Sequence, residues 1–486
     1  MKKYLIILVL LSISFVTSCS NKAQNNQSHL DPKNPVSITL WHYYSDKNRI
    51  ALENCIKNFN ETVGLKKGII VTSIPKESIL DLEKDITASV KEDIGSQAMP
   101  DIFSSYPDKA YEIDRYGKVL NLDDYFTKAE KNSFMPAFLD AGTISGKFKI
   151  VPIVKSTDLL YINDSSWKAF AVSSGHIYDD LSTWEGIYET AKDYYSYTDA
   201  LTPDIKGDGK ALIGIDSLAN FEILGQKQLG IEAINNKKEK AVINRETLSK
   251  IYKFYAEGLA KGYICEKGKF CSDNLKTGEI ISYIGSSSGA AFFPAWIEKS
   301  GEKVPISLKV LPFPKFKDSE DYVIQQGAGM CVSVSEPQRQ EAAVTFLKWF
   351  TNTKNNMYFC TNSGYLPVKA DIYTNNSLKD EISKMKKGDM GMQNIAKVYE
   401  IAMNQIFASK AYSVKPFSSG YKIREIFEST LIDSADSYRK LSSSLKSGGL
   451  TNEEIDIKLG ENYGFDNWIE TIIKEFQKNN IPYEEI

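Results

Sequence analysis

Short apolar runs alternate with longer amphipathic segments along most of this 486-residue chain. Residues 36–41 form a run rich in β-favouring residues, a helical pattern covers 49–59, and a second strand-like run covers 68–74. Strands separated by helices of about ten to fifteen residues are typical of βαβ units with a parallel sheet covered on both faces. The chain therefore opens as an α/β protein.

Further apolar runs continue this pattern through the middle of the chain. They predict strands at 102–103, 148–154, 159–162, 211–215, 279–284, 307–311 and 330–334. Helical patterns dominate after Glu341, so the last third is expected to be a helical covering. Because single cores stop growing at roughly 250–300 residues, a chain of this length predicts two lobes.

Composition narrows the functional classes. With 42% hydrophobic and 25% charged residues, the chain is an ordinary globular one. Its net charge of -3 provides no basic field that would attract nucleic acid. No nucleic-acid partner is therefore expected.

The N-terminal segment has the pattern of a secretion signal. Two lysines precede an apolar run at 4–16, which is shorter than the roughly 20 residues that a membrane-spanning helix needs. The following Val-Thr-Ser-Cys is similar to a bacterial lipobox, which predicts lipidation of Cys19; a plain signal peptide cleaved nearby is the alternative. Residues 1–19 are thus assigned to the signal peptide and lipobox, and the polar residues 20–35 to a flexible tether.

The cysteines give little evidence of a cross-linked or metal-binding protein. After Cys19, five cysteines remain, so at least one stays unpaired within the chain. Cys265 and Cys271 flank a turn-like segment and either close a small disulfide loop or remain thiols. No histidine lies near them and their spacing is not that of a zinc site, so no metal is expected.

The segment 285–289, Gly-Ser-Ser-Ser-Gly, matches the G-x-S-x-G pattern of a nucleophilic serine between a strand and a helix. A helix at 290–299 would complete that context. In hydrolases of this type the histidine follows the serine, whereas every histidine here precedes Ser287, namely His29, His42 and His176. We therefore expect Ser287 and Ser288 to hold a ligand through hydroxyl and backbone groups, with a simple polar turn as the alternative.

Eight segments, taken in order, carry a family resemblance. They are ITLWHYYSD, Pro100-Asp101-Ile102 with YEIDRYGKVLNLDDYF, GKFKIVPIVKSTDLLYIN, STWEGIYETAKDY, SSSGA, LPFP, GAGMCVS and EAAVTFLKWFTNTKNNMYFCTNSGYLPV. This order resembles the family 1 extracellular solute-binding proteins of bacterial ABC importers, the group of maltose-binding and glycerol-3-phosphate-binding proteins.

The resemblance implies a two-lobed, type II periplasmic-binding-protein-like α/β fold with a ligand cleft between discontinuous lobes. The N-terminal lobe would comprise 36–153 plus 325–366, and the C-terminal lobe 154–324 plus 367–486. The chain would then cross between lobes near Val154, Gln325 and Leu366.

The resemblance also implies ligand contacts by position. These are Trp41, Tyr106, Ser156, Asp158, Ser287, Ser288, Gly327, Tyr365 and Arg424. Aromatic residues beside turns or strand ends add Tyr43, Trp184 and Trp296, because aromatic faces stack on sugar rings.

Arg424 lies in a segment that resembles the one where glycerol-phosphate binders place a phosphate-holding arginine. Pairing with Glu428 on a solvated helix face is the alternative. Pro107 stands where some of those binders carry a glutamate, which leaves the identity of the ligand open.

Together these observations predict a lipid-anchored binding protein without cofactor or enzymatic activity. It would act as a monomer, capture a carbohydrate or sugar-phosphate by hinge closure, and deliver it to the permease subunits of an ABC transporter. One alternative is an exported carbohydrate-active hydrolase using paired carboxylates such as Asp123-Asp124 or Asp179-Asp180. Another is a receptor for a metal or polyamine.

Overall fold

The computed structural model describes residues 28–205, 207–235, 237–266, 268, 270–299, 301–413, 416–459 and 463–486. The predicted signal peptide, Cys19 and the first half of the tether, residues 20–27, lie outside these residues. Within the described ranges, none of the helices has the length and hydropathy that crossing a bilayer requires.

The strands are short and distributed over the whole chain. They are β1 (Val36–His42), β2 (Ile69–Pro75), β3 (Ile102–Ser105), β4 (Thr143–Ile144), β5 (Lys147–Phe148), β6 (Ile150–Val151), β7 (Asp158–Asn163), β8 (Ile213–Ile215), β9 (Ile234–Asn235), β10 (Lys240–Ile243), β11 (Ser282–Ser286), β12 (Trp296–Lys299), β13 (Glu302–Pro305), β14 (Leu308–Leu311), β15 (Tyr322–Ile324), β16 (Gly329–Val332), β17 (Lys410–Tyr412) and β18 (Tyr483–Glu485).

Helices make up most of the chain after β16, as the sequence predicts. They are α1 (Asp46–Phe59), α2 (Leu65–Lys67), α3 (Ile79–Lys91), α4 (Pro107–Asp114), α5 (Lys128–Asn132), α6 (Pro136–Asp140), α7 (Asp164–Ser174), α8 (Trp184–Asp199), α9 (Leu218–Gln228), α10 (Arg245–Tyr252), α11 (Gly258–Lys261), α12 (Cys271–Lys276), α13 (Pro337–Phe350), α14 (Thr353–Ser363), α15 (Ala370–Thr374), α16 (Ser377–Met385), α17 (Met390–Ala408), α18 (Gly420–Ser447), α19 (Asn452–Leu459) and α20 (Phe465–Lys478).

The first lobe is built on a five-stranded sheet in the order β2-β1-β3-β16-β6. β1 pairs in parallel with β2 and β3, whereas β16 is antiparallel to β3 and β6. Successive side chains of a strand point to opposite faces, so Leu40 packs with α1 and α13 while Trp41 packs with α3 and α4. Helices therefore cover both faces of the sheet.

The second lobe is built on a four-stranded sheet in the order β14-β7-β11-β8. β7 is antiparallel to both β11 and β14, and β11 and β8 are parallel. The parallel pairing predicted from the opening residues is confirmed for β1, β2 and β3, whereas the second sheet is mixed. β7 receives the chain directly from the first lobe, so no crossover helix fixes a parallel direction for this strand. β7 is buried throughout, because both faces of the sheet are covered.

The chain passes from the first sheet to the second after β6 and returns before β16, and after α14 it continues to α17, which packs against the second sheet. The three passing segments lie side by side. Lys155 and Leu366 exchange backbone hydrogen bonds of 3.0 and 2.7 Å, and Ser156 and Gln326 exchange bonds of 2.7 and 2.9 Å. We call these the crossing segments.

The structure corrects one local expectation, the helix at 290–299, and decides between the two alternatives for Cys265 and Cys271. The helix expected at 290–299 is wrong: a 3₁₀ turn at Ser287–Phe292 is followed by strand β12, and Pro294 between them cannot donate the hydrogen bond that a continuing helix requires. Cys265 and Cys271 are not joined by a disulfide.

Candidate functional site

Three tyrosines of the first lobe and a serine of the second meet between the two sheets. Tyr43 follows β1, Tyr106 caps α4, and Tyr365 follows α14. The Tyr43 side chain is hydrogen-bonded to those of Tyr106 and Tyr365, and Tyr365 also bonds to Ser288. Burial raises the pKa of all three phenols, so these groups remain neutral hydroxyls. We call them the tyrosine cluster.

A cavity of about 410 Å³ lies on one side of the tyrosine cluster, between α4 of the first lobe and α18 of the second. We call it the Arg424 cavity. Its lining includes Tyr106, Asp108, Lys155, Gly327, Tyr421 and Arg424. Residues of both lobes and of the crossing segments therefore share this space.

A second cavity, of about 580 Å³, lies on the Ser288 side of the cluster, and we call it the Trp296 cavity. Its lining includes Asp46, Asn48, Tyr283, Ser288, Phe292 and Trp296. The ammonium groups of Lys276 and Lys303 lie 4.9 and 4.1 Å from the Trp296 ring centroid. The Trp296 side chain is thus held by cations at the edge of the cleft.

A polar network supports Arg424. Its Nη2 donates to the Asn220 side-chain oxygen at 2.9 Å, and the Asn220 amide donates to Asp158 at 2.8 Å. The Gln326 side chain also donates to Asn220. Burial raises the pKa of Asp158 to about 6, against the opposing effect of the Asn220 hydrogen bond. The network therefore connects β7, α9, a crossing segment and α18.

Two fully buried polar side chains lie on α9, the helix whose Asn220 accepts a hydrogen bond from Arg424. Neither Glu222 nor Gln226 has a hydrogen-bond partner for its side-chain atoms among the described residues. Burial raises the pKa of Glu222 well above its ordinary value; the charge of Glu428 raises it further, and that of Arg424 lowers it. Arg424 and Glu428 thus act on the Glu222 carboxyl group in opposite directions.

The serine segment is divided between structural and cleft-facing roles. Ser287 is fully buried, its N–H donates to the Thr157 carbonyl at 2.8 Å, and its hydroxyl accepts from the Thr157 N–H at 3.3 Å. His42 accepts from the Tyr44 N–H, and His176 is held between two aspartates, so their rings are engaged elsewhere. Ser287 therefore ties β11 to a crossing segment, and Ser288 faces the cleft.

The structure places two of the predicted aromatic contacts outside the cleft. Trp41 is 2% exposed in the first-lobe core, with the Lys76 ammonium 3.8 Å from its ring centroid. Trp184 is fully buried in the second lobe, where with Tyr188 and Phe254 it lines a separate cavity of about 510 Å³. We call this the Trp184 cavity. It lies among α8, α11 and α18 rather than between the lobes.

Two of the other predicted residues, Ser156 and Gly327, lie on the crossing segments. Ser156 contributes its backbone to the crossing segments, and Gly327 lines the Arg424 cavity with a φ of +124°. A Cβ atom at Gly327 would lie 2.9 Å from the Val154 carbonyl oxygen, so the close approach of two crossing segments requires glycine.

Sequence reasoning missed Lys155, Asn220 and Asp108, which all lie at or beside the Arg424 cavity. Lys155 had a detectable signal, because this lone lysine directly follows the apolar run 150–154 and precedes the apolar run 159–162. Asn220 is a second such polar residue, because it lies on α9, which is buried along nearly its whole length. A polar residue in an otherwise buried element points to a specific partner.

Comparison with known proteins identifies the family. The model of the family described as bacterial extracellular solute-binding protein matches residues 54–386. The chain belongs to this family. No curated protein matches this solute-binding protein in a sequence search.

Solved structures share the whole two-lobed fold of this solute-binding protein. UgpB from Mycobacterium tuberculosis, in complex with glycerophosphocholine, is 16% identical with a TM-score of 0.66, covering 92% of this chain and 100% of that one. A Listeria monocytogenes ABC substrate-binding protein in complex with cycloalternan is 14% identical with a TM-score of 0.65, at the same coverage. Maltose-bound MalE3 from T. maritima is 16% identical with a TM-score of 0.64, covering 91% and 99%.

Proposed function

We propose that this solute-binding protein is the lipid-anchored, monomeric receptor of an ABC importer. It captures a carbohydrate or sugar-phosphate between its lobes, closes on it by hinge motion, and delivers it to the permease subunits without converting it. The neighbours in the fold comparison support this class, since they bind cycloalternan, maltose and glycerophosphocholine.

The observation that carries the proposal is the tyrosine cluster and its position. Tyr43, Tyr106 and Tyr365 offer aromatic faces and neutral hydroxyls, and Ser288 adds a hydroxyl from the opposite lobe. Sugars present apolar ring faces and polar edges, which such a combination matches. A ligand that contacts both lobes at once favours the closed form.

The hinge is proposed to lie in the crossing segments. Isolated backbone bridges between Lys155 and Leu366 and between Ser156 and Gln326 join the crossing segments to one another. A rotation there opens the cleft without breaking either core, as in hinge closure of related folds. We retain 36–153 plus 325–366 and 154–324 plus 367–486 as the proposed extents of the moving lobes.

The hydrolase alternative loses support from the environment of its carboxylates. Asp123 pairs with Lys131 at 2.6 Å and accepts the Phe148 N–H at 3.1 Å. Asp180 accepts from the Ile177 N–H and bonds to the His176 ring. These groups are engaged in local structure rather than directed at a common cleft.

A ligand screen tests the function. Sugars, sugar-phosphates and polyamines are titrated in a thermal-shift assay, since a ligand at 100 times its Kd stabilises the native state by about 2.7 kcal/mol. We expect stabilisation by a carbohydrate, and none by the polyamines spermidine and putrescine. Stabilisation by polyamines alone would replace the carbohydrate assignment.

Matched variants then locate the site. Tyr106→Ala should weaken carbohydrate binding at least tenfold, because the ring lines the Arg424 cavity. Tyr188→Ala removes a tyrosine from the Trp184 cavity and should leave binding unchanged. The reverse pattern would place the ligand in the second lobe rather than between the lobes.

The membrane anchor is tested separately. Replacing Cys19 with Ala should leave the precursor unprocessed or release the protein, because lipidation at this cysteine provides the attachment. Recovery of the wild-type protein free in the medium, without lipid, contradicts the anchor.

A further inference from the structure

Lys155 is a buried cation without a counter-ion. It lies on a crossing segment, is 5% exposed, and lines the Arg424 cavity. Its ammonium group donates to the Gly327 carbonyl oxygen at 3.4 Å. Among the described residues, no carboxylate lies within ion-pairing distance of it. Burying a charge is costly unless a partner compensates it, so this arrangement calls for an anion.

Burial is the cause of the pKa shift of Lys155. Burial lowers its pKa to about 8, and no neighbouring charge raises it again. The charged groups around the same cavity are Asp108 on α4, with Arg424, Glu425 and Glu428 on α18. Glu425 is paired with Lys422 at 2.9 Å, so it is already compensated.

Arg424, unlike Lys155, interacts electrostatically with several carboxyl groups. Burial raises the pKa values of Asp108 and Asp158 to about 6, and the charge of Arg424 opposes the rise in both. Glu222 feels the same opposing effect of Arg424. Arg424 therefore has acidic side chains within electrostatic reach, and its hydrogen bond to Asn220 holds it in the network.

We propose that Lys155 determines ligand specificity by binding an anionic group, a phosphate or a carboxylate, of the captured carbohydrate. This rests on the proposed function and names the ligand class as acidic. Arg424, the residue that the family resemblance singles out for phosphate, positions the Asn220 network instead. Lys155 lies on a crossing segment and lines the Arg424 cavity. Because the crossing segments form the proposed hinge, an anion bound to Lys155 contacts the hinge directly.

The test compares neutral and acidic members of one sugar series by calorimetry. The probes are glucose, glucose 6-phosphate and glucuronate, with maltose and glycerophosphocholine as larger neutral and phosphate-bearing ligands. We expect the acidic sugars to bind at least tenfold more tightly than glucose. A bound anion should raise the lowered pKa of Lys155 again, and each pKa unit of that rise corresponds to about a factor of ten in affinity. Lys155→Met should reduce this preference at least tenfold, and Lys155→Gln should do the same.

Three controls separate this role from a structural one. Lys369 is also partly buried, with its pKa lowered to about 8 by burial, but it lies beside Phe134 and outside the cleft cavities. Lys369→Met should leave the preference intact. Arg424→Met should weaken neutral and acidic ligands alike. At about pH 8, glucuronate binding should take up as much as about half a proton, measured in two buffers, and Lys155→Met should abolish the uptake.

The outcomes are distinguishable. If only neutral sugars bind, the inference about Lys155 is overturned and the proposed function stands. If no carbohydrate binds, both fall. Loss of the acidic preference in Arg424→Met but not in Lys155→Met would return the anion to Arg424 and overturn the inference.

Discussion

Replacing Asp101 with Asn should destabilise the first lobe substantially. Asp101 precedes β3, is 3% exposed, and accepts two hydrogen bonds from Arg339, Nε to Oδ1 at 2.7 Å and Nη2 to Oδ2 at 2.6 Å. Its Oδ2 also accepts the Thr39 N–H at 2.7 Å. The carboxylate therefore joins β1, β3 and α13, and an amide in its place turns one accepted bond into a contact between donors.

The magnitude follows from burial. Removing one partner of a buried ion pair costs about 3–5 kcal/mol. The Arg339 side chain is 38% exposed, so water can hydrate it in the variant, and the cost falls to about 2–3 kcal/mol. In a lobe of this size that corresponds to a decrease in Tm of roughly 5–10 °C.

An exposed ion pair provides the matched control. Arg245 and Asp466 lie 2.8 Å apart with side chains 49% and 78% exposed. Asp466→Asn should change the free energy of unfolding by no more than about 0.5 kcal/mol. Unfolding in urea, followed by circular dichroism, measures both variants. Equal effects of Asp101→Asn and Asp466→Asn would refute the argument from burial.

Three further changes test other parts of the structure. Gly327→Ala should lower the Tm, at a cost of about 1–3 kcal/mol, because of its positive φ; an unchanged Tm contradicts the required close approach. Ser287→Ala should cost about 1–3 kcal/mol by leaving a buried N–H without its acceptor, and should remove no esterase activity; an esterase activity lost in this variant would show catalysis. Burial lowers the pKa of His176, but Asp180 and Asp193 outweigh this and raise it above 6.5. The stabilisation from His176 is therefore full below about pH 6.5 and lost as the pH rises through the folded-state pKa, and Tm measured against pH should lose this component in His176→Gln.

The sequence predicted most of the fold because its strands are buried and apolar. The runs at 36–41, 68–74 and 159–162 correspond to β1, β2 and β7. Strand direction was not predictable in the second lobe, since pairing depends on how the chain enters the sheet rather than on side-chain pattern. The helix expected after Ser287 failed because a single proline outweighed the surrounding pattern.

The candidate site was predicted less completely. Tyr43, Tyr106, Tyr365 and Ser288 meet as an aromatic and hydroxyl-rich group, whereas Trp184 fills a core. Tryptophan serves both purposes, and composition alone cannot separate them. Lys155 was overlooked although it lies between an apolar run and a strand-like run, a position that favours burial.

The three crossing segments have a consequence for the order in which the protein can acquire its structure during synthesis. β16 lies between β3 and β6 in the first sheet, but it is made only after every strand of the second sheet. Until β16 emerges, β3 and β6 have no strand between them, and their exposed edges remain open to pairing with other chains. The second lobe can assemble its sheet earlier. The N-terminal lobe is therefore the later one to complete, and the interval leaves it open to capture by a chaperone or to aggregation.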